Sequence, residues 1–100
     1  VQIKCENVIA EVIKALEEGN LIPTTHAQKQ MKDRDIQLSD LEEALYRCSR
    51  EEFNDRLTSD GNVWKYSLRG KNNTGLKDLR IIIIFKDTKV LVVTAIDKTK

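Results

Sequence analysis

One histidine, one proline and two cysteines are all that 100 residues supply of those three types, and their scarcity narrows what the chain can do. Cys5 and Cys48 show no CxxC spacing, and His26 is the sole imidazole, so too few soft ligands are present for a zinc site. No metal and no cofactor are expected. The cysteines read as two buried, reduced thiols, with a Cys5–Cys48 bridge as the alternative. The longest apolar runs, "IIIIF" and "VLVV", are strand-length and far short of the roughly 18 residues of a membrane span. No signal-peptide pattern is visible, although Val1 is not an initiator methionine, and a cytoplasmic protein without a membrane partner is expected. No glycine-rich phosphate loop opens a helix, and neither a nucleophile elbow nor HExxH occurs.

What is present describes an ordinary globular protein. Hydrophobic residues make up 40% and charged residues 33%, too apolar and too balanced for disorder, and 100 residues suffice for one core. A single domain over residues 1–100 is expected. The formal net charge is only +1, yet it is unevenly spread: residues 1–50 carry seven Lys/Arg against nine Asp/Glu, residues 51–100 ten against seven. Between Lys65 and Lys86, six cations (Lys65, Arg69, Lys71, Lys77, Arg80 and Lys86) meet one acid, Asp78. That segment reads equally as a solvated β-face or as a site for an anionic ligand.

Hydrophobic periodicity divides the chain in two. Val8, Ile9, Val12, Ile13 and Leu16 share one helix face, predicting a helix over about residues 4–18 that Gly19 ends. A short extended connector follows around Pro23. Thr25 with Gln28 predicts a capped helix from His26 to Arg34; Ser39 with Glu42 predicts another, with Leu41, Ala44, Leu45 and Cys48 inward. Ser49 to Leu57 fits a short helix or an edge strand, the Phe53/Leu57 spacing favouring helix, and Thr58 to Asn62 is a turn. Trp64, Tyr66 and Leu68 then alternate with Lys65, Ser67 and Arg69 as a strand. Gly70 to Gly75 reads as a hairpin loop, Leu79 to Lys86 as a central strand and Val90 to Ile96 as a third. The predicted fold class is α+β, with N-terminal helices packed on an antiparallel sheet that ends in a three-strand meander.

His26, in the first turn of its helix, reads as a surface or capping histidine or as a neutral imidazole beside a bound phosphate. Tyr66 shares the core-facing side of its strand with Trp64 and Leu68, its hydroxyl reaching the rim. Arg80 emerges amid isoleucines across a hairpin from Arg69, where it pairs with Asp78 or a helix glutamate, or holds a phosphate bidentately. Cleavage of RNA is open to such residues, because the 2′-hydroxyl is the nucleophile and the protein need only move protons and neutralise charge.

The stretch "HAQKQMKDRDIQLSDL" from His26 to Leu41 resembles the His-Ala-x-x-x-Met-x-x-Arg-x-Ile hallmark of an uncharacterised bacterial family placed with RelE-like toxins, and "YSLRG", "DLRIIIIF" and "VLVVTAI" fit that family too. A fainter resemblance, to MqsR toxins, runs through "IKALEEGNLIPTT" and "SREEF" followed by "VW". These resemblances imply a RelE-like fold, cleavage of mRNA free or on the ribosome, and neutralisation by a cognate antitoxin protein. The catalytic positions of MqsR toxins fall near Asp55 or Arg56, at Lys65, near Leu79 and near Ile96, with none of their residues kept here. The candidates in this chain are therefore His26, Tyr66, Arg69 and Arg80 for catalysis, with Lys65, Lys71, Lys77 and Lys86 for RNA phosphates. The expected function is a toxin of a bacterial type II toxin–antitoxin system acting as a metal-independent mRNA endoribonuclease; the alternative is a non-catalytic RNA- or protein-binding module of the same fold.

Overall fold

The computed structural model describes residues 4–59, 61 and 63–99. Helices α1 (Val8–Glu18), α2 (Thr25–Asp33) and α3 (Leu38–Tyr46) precede most of the sheet, which comprises β1 (Leu21–Pro23), β2 (Ser49–Arg50), β3 (Arg56–Leu57), β4 (Trp64–Lys71), β5 (Asp78–Lys86) and β6 (Lys89–Asp97). A single 3-10 turn, Glu52–Asn54, separates β2 from β3. The strand order is β1-β6-β5-β4-β2, with β3 also pairing β4. The expected α+β architecture and its antiparallel β4–β5–β6 meander are present. The parallel pairing of β1 with β6 (Leu21 to Val90, Pro23 to Val92) adds an edge that the connector around Pro23 did not announce.

The helices end where local chemistry dictates. Gly19 adopts φ 74° and closes α1 with its N–H directed to the carbonyls of Ala15 and Leu16. That left-handed turn is open to glycine without a Cβ penalty. Helix α1 starts at Val8, later than its apolar pattern suggested, and the caps of the next two helices are each displaced. Thr24, not Thr25, caps α2 by accepting from the Ala27 N–H at 3.2 Å, while Gln28 donates to the Pro23 carbonyl. Asp40, not Glu42, reaches back to the chain before α3 and accepts the Gln37 N–H at 2.9 Å. Asn72 donates to the same carboxylate, so Asp40 joins the helix start to the β4–β5 loop.

All three helices share one face of the sheet. Val8, Val12 and Ala15 of α1, Ala27 and Met31 of α2, and Leu41, Ala44 and Leu45 of α3 form one buried cluster with Tyr66, Leu68, Leu79, Ile81, Ile83, Val90, Val92 and Ala95. Full burial of a leucine or isoleucine contributes about 1.5–3 kcal/mol, so this layer carries the hydrophobic stabilisation. Cys48 lies beyond the end of α3 and packs against the cluster half-buried. Strand alternation assigns Lys65, Ser67, Arg69 and Lys71 of β4 and Asp78, Arg80, Ile82, Ile84 and Lys86 of β5 to the opposite face. No described α-helix packs on that second face, but the segment after β2 lies over part of it: Ser67 is fully buried there, beneath the Glu51 carboxylate.

The segment from Ser49 to Leu57 follows the edge-strand alternative in part: β2 and β3 both pair antiparallel with β4, interrupted by one 3-10 turn. Phe53 does not point into the core; it is 78% exposed. Its spacing from Leu57 suggested a helix, but both residues are exposed. The predicted turn at Thr58 to Asn62 includes Asp60 and Asn62, which lie outside the described residues; Thr58 accepts the Gly61 N–H at 2.8 Å and donates its own N–H to Val63.

Candidate functional site on the open sheet face

The six cations that stand out in sequence divide between the two faces. Arg69 and Arg80 are direct partners across β4 and β5. Two guanidiniums side by side repel unless anions intervene, and two carboxylates do. Asp78 accepts from Arg69 Nε at 2.7 Å and Nη2 at 2.9 Å, a fork-on-fork pair. Glu51, immediately after β2, accepts from Arg80 Nε at 2.8 Å and Nη2 at 3.3 Å and lies 3.6 Å from Arg69 Nη1. The Ser67 hydroxyl donates to Glu51 Oε1 at 3.0 Å. Backbone pairing sets this up: the Glu51 N–H donates to the Ser67 carbonyl at 2.9 Å, extending β2 along β4 and placing Glu51 beside the arginines.

The electrostatics follow from those contacts. The Arg80 hydrogen bond, aided by Ser67 and Arg69, holds the Glu51 carboxyl below its usual value against the opposing effect of partial burial. The Arg69 fork likewise holds Asp78 low, and Asp78 in turn raises Arg69. At neutral pH the site is therefore two guanidiniums and two carboxylates. Lys65, Lys71 and Lys86 lie along the same face, with Lys71 adding to the field that depresses Asp78.

Three expected site residues lie elsewhere. Tyr66 is on the helix side, only 3% exposed, its hydroxyl accepting the Cys5 N–H at 2.7 Å and its ring 5.4 Å from that of Phe85. The Arg50 guanidinium stands 5.5 Å over the same ring. Tyr66 is thus a core aromatic whose hydroxyl fixes the chain entering α1, and a proton-transfer role at the arginines is closed to it. His26 is exposed in the first turn of α2, on the helix layer, its imidazole making no hydrogen bond or ion pair to any described residue. The Lys77 ammonium donates to the Asp35 carbonyl between α2 and α3, again on the helix side.

The loop between β4 and β5 is braced rather than poised for phosphate. Asn72 is buried, and its amide oxygen accepts from the Lys77 N–H and the Thr74 hydroxyl. The N–H groups of Asn72, Gly75 and Leu76 bond within the loop, and that of Asn73 donates to Glu43 of α3. Phosphate-cradling loops present free N–H groups; here those of Asn72, Asn73, Gly75, Leu76 and Lys77 are spent, beside the carboxylates of Asp40 and Glu43.

One hallmark residue, Arg34, and Gln30 at a variable position of the same helix have structural tasks. Gln30 accepts the Ala95 N–H at 3.0 Å and Arg34 Nη1 donates to the Ala95 carbonyl at 3.2 Å. Strand β1 pairs β6 only through Val92, so α2 satisfies β6 where its neighbour strand has ended. Glu51 was missed in sequence because the segment around it follows neither period; the available signal was the need of Arg80 for a counter-ion. Among the described residues no group of three or more His, Cys, Asp or Glu side chains could hold a metal, and no helix is long and apolar enough to cross a membrane. A cleft of about 480 Å³ lined by Pro23, Met31, Ile36 and Leu38 lies beside α2 and contains none of the predicted site residues.

A family model described as a domain of unknown function, DUF4258, matches residues 23–97. That span runs from the end of β1 to the end of β6 and leaves α1 outside. No curated protein and no solved structure matches the chain.

Proposed function

The chain belongs to the DUF4258 family, and we propose that it is a metal-independent mRNA endoribonuclease, the toxin of a bacterial toxin–antitoxin pair, working from the open face of its sheet in the cytoplasm. The observation that carries this reading is the convergence of Arg69 and Arg80, cross-strand partners on the face away from the helices, upon the Glu51 carboxylate. Cleavage of RNA through its own 2′-hydroxyl needs cations at the phosphorus, where charge builds up, and a group that takes a proton. Arg80 and Arg69 supply the cations, while Lys65, Lys71 and Lys86 extend the positive track along which a strand would lie. The resemblance to RelE-like toxins supports the same reading and brings with it a neutralising antitoxin protein as partner.

The test is incubation of the purified protein with a structureless RNA in EDTA, alone and with ribosomes, followed by mapping of the cut ends. Cuts ending in 2′,3′-cyclic phosphate, lost in Arg69→Ala and Arg80→Ala, are expected. An uncut RNA under both conditions overturns the nuclease.

A second reading, a non-catalytic binding module, has its own observation: Arg69 is already held in a fork by Asp78 and Arg80 by Glu51, an arrangement that also serves to build a stable surface. RNA bound but never cut, with affinity falling steeply as salt rises, would select it.

A further inference from the structure

On the face opposite the helices, the cations Lys65, Arg69, Lys71, Arg80 and Lys86 cannot accept a proton at neutral pH, and the Ser67 hydroxyl would itself need a base. Among the described residues, two carboxylates, Glu51 and Asp78, share that face with the arginines. Asp78 has both oxygens taken by the Arg69 fork, at 2.7 and 2.9 Å. Glu51 accepts from Arg80 and Ser67 on Oε1, while Oε2 has only the longer contacts, 3.3 Å to Arg80 and 3.6 Å to Arg69. Its Oε2 is the least committed acceptor among the paired groups, and it lies between the two guanidiniums.

We propose that Glu51 accepts the proton of the 2′-hydroxyl in a bound RNA, a catalytic role resting on the reading of this face as a ribonuclease site. The two arginines flank the carboxylate, so a phosphate that draws on them is brought beside Glu51. Arg80 engages Glu51 through Nε and Nη2, which leaves Nη1 for a phosphate oxygen. A phosphate competing for the guanidiniums also weakens their hold on the carboxylate, which makes it a stronger base once substrate is bound. In the step itself the 2′-oxygen forms a bond to phosphorus, the bond from phosphorus to the 5′-oxygen breaks, and the 2′-hydroxyl proton passes to Glu51. The leaving 5′-oxygen takes a proton from water, and Glu51 returns its own to the hydroxide so formed. The products are a 2′,3′-cyclic phosphate and a 5′-hydroxyl, with no net change in protons.

The groups facing Glu51 are Arg69 and Ser67 from β4 and Arg80 from β5; the helices pack on the other face and contribute none. The acid limb of the pH–rate profile therefore reports the carboxylate as modulated by the two arginines.

The experiment compares wild type with Glu51→Gln on a structureless RNA, and measures binding separately with a 2′-O-methyl copy of that sequence, which cannot be cut. Expected are a loss of about 100-fold in cleavage rate, disappearance of the acid limb, and binding within about threefold of wild type. A rate within tenfold of wild type, or an acid limb unchanged in Glu51→Gln, overturns the assignment while leaving the nuclease reading standing. The wild type is assayed alone and with ribosomes, and an RNA left uncut under both conditions overturns both readings. Should Glu51→Gln fail to fold, Glu51→Asp decides, since it keeps the charge but withdraws it by one methylene: a rate at least tenfold down with binding kept supports the role, and the wild-type rate refutes it.

Discussion

Arg69 and Arg80 stand directly opposite each other on adjacent strands, yet their like charges are held in place by anions from different parts of the chain: Asp78 two residues before Arg80, and Glu51 from the far edge of the sheet. Placing both guanidiniums on one face follows from β-alternation alone. Keeping them there requires β2 to run alongside β4, because only that pairing brings the Glu51 carboxylate within reach. The candidate site and the irregular edge of the sheet are thus one construction.

Acid stability follows from the same contacts. Glu51 and Asp78 have folded-state values below their usual 4.5 and 3.8. A depressed carboxylate contributes stability that is fully present above its unfolded value and is lost as pH falls through the folded one. Urea unfolding followed from about pH 5 down to about pH 2 should show wild type losing more stability than Asp78→Asn, which has no such proton to take up. Parallel curves for the two proteins would show that the Arg69 fork contributes nothing to the fold.

Gln30 and Arg34 clamp the two backbone groups of Ala95, and their loss should leave those groups unpaired. Gln30→Ala and Arg34→Ala are each expected to cost about 1–2 kcal/mol, the usual penalty for a buried polar group deprived of its partner. Amide hydrogen exchange at Ala95 should quicken in Gln30→Ala, whose acceptor is gone, more than in Arg34→Ala. Wild-type protection of that amide in Gln30→Ala would remove the clamp from the account.

How much of this could be read beforehand depended on locality. The β4–β5–β6 meander was legible because Trp64, Tyr66 and Leu68 alternate with polar residues and the isoleucine run leaves room only for a central strand. The partners of Arg80 were misassigned: Asp78 or a helix glutamate was expected, but Asp78 is taken by Arg69, its neighbour across the hairpin, and Arg80 pairs with Glu51, which belongs to no helix. Strand β1 was not legible: three residues ending in Pro23 make no pattern, and their partner on β6 is nearly 70 residues away. Glu51 was hidden for the same reason, being 29 residues from Arg80 in a segment with no period. Tyr66 was placed on the correct face, but its engagement with the Cys5 N–H, 61 residues distant, could not be read from spacing.

The two cysteines are free thiols, and burial pushes the Cys48 thiol up to about 11. The thiolate is the reactive form, so at pH 8 Cys48 in the folded protein should alkylate far more slowly than the same residue in urea. Mass spectrometry of a Cys5→Ser variant treated with iodoacetamide isolates that reaction. Equal rates with and without urea would show Cys48 to be open to solvent.

Gly70 was expected in a hairpin loop, where glycine serves turning; instead it lies inside β4, where glycine serves closeness. A Cβ built on it would stand 2.2 Å from the Ala44 carbonyl oxygen and 3.2 Å from the Cys48 Cα, both backbone atoms of the segment that ends α3. Backbone cannot swing aside as a side chain can, so Gly70→Ala must push α3 off the sheet. The displacement would open the contact of Ala44, Leu41 and Leu45 with Leu68 and Leu79. A cost of about 2–3 kcal/mol is expected, in the range of overpacked cores. Gly75 is the useful contrast: its φ is 72° but nothing lies within 4 Å of a Cβ there, so Gly75→Ala costs only the left-handed turn, about 1 kcal/mol. Denaturation midpoints for the two variants decide the matter, and a Gly70→Ala protein no less stable than Gly75→Ala would mean that α3 does not rest on β4 as closely as described.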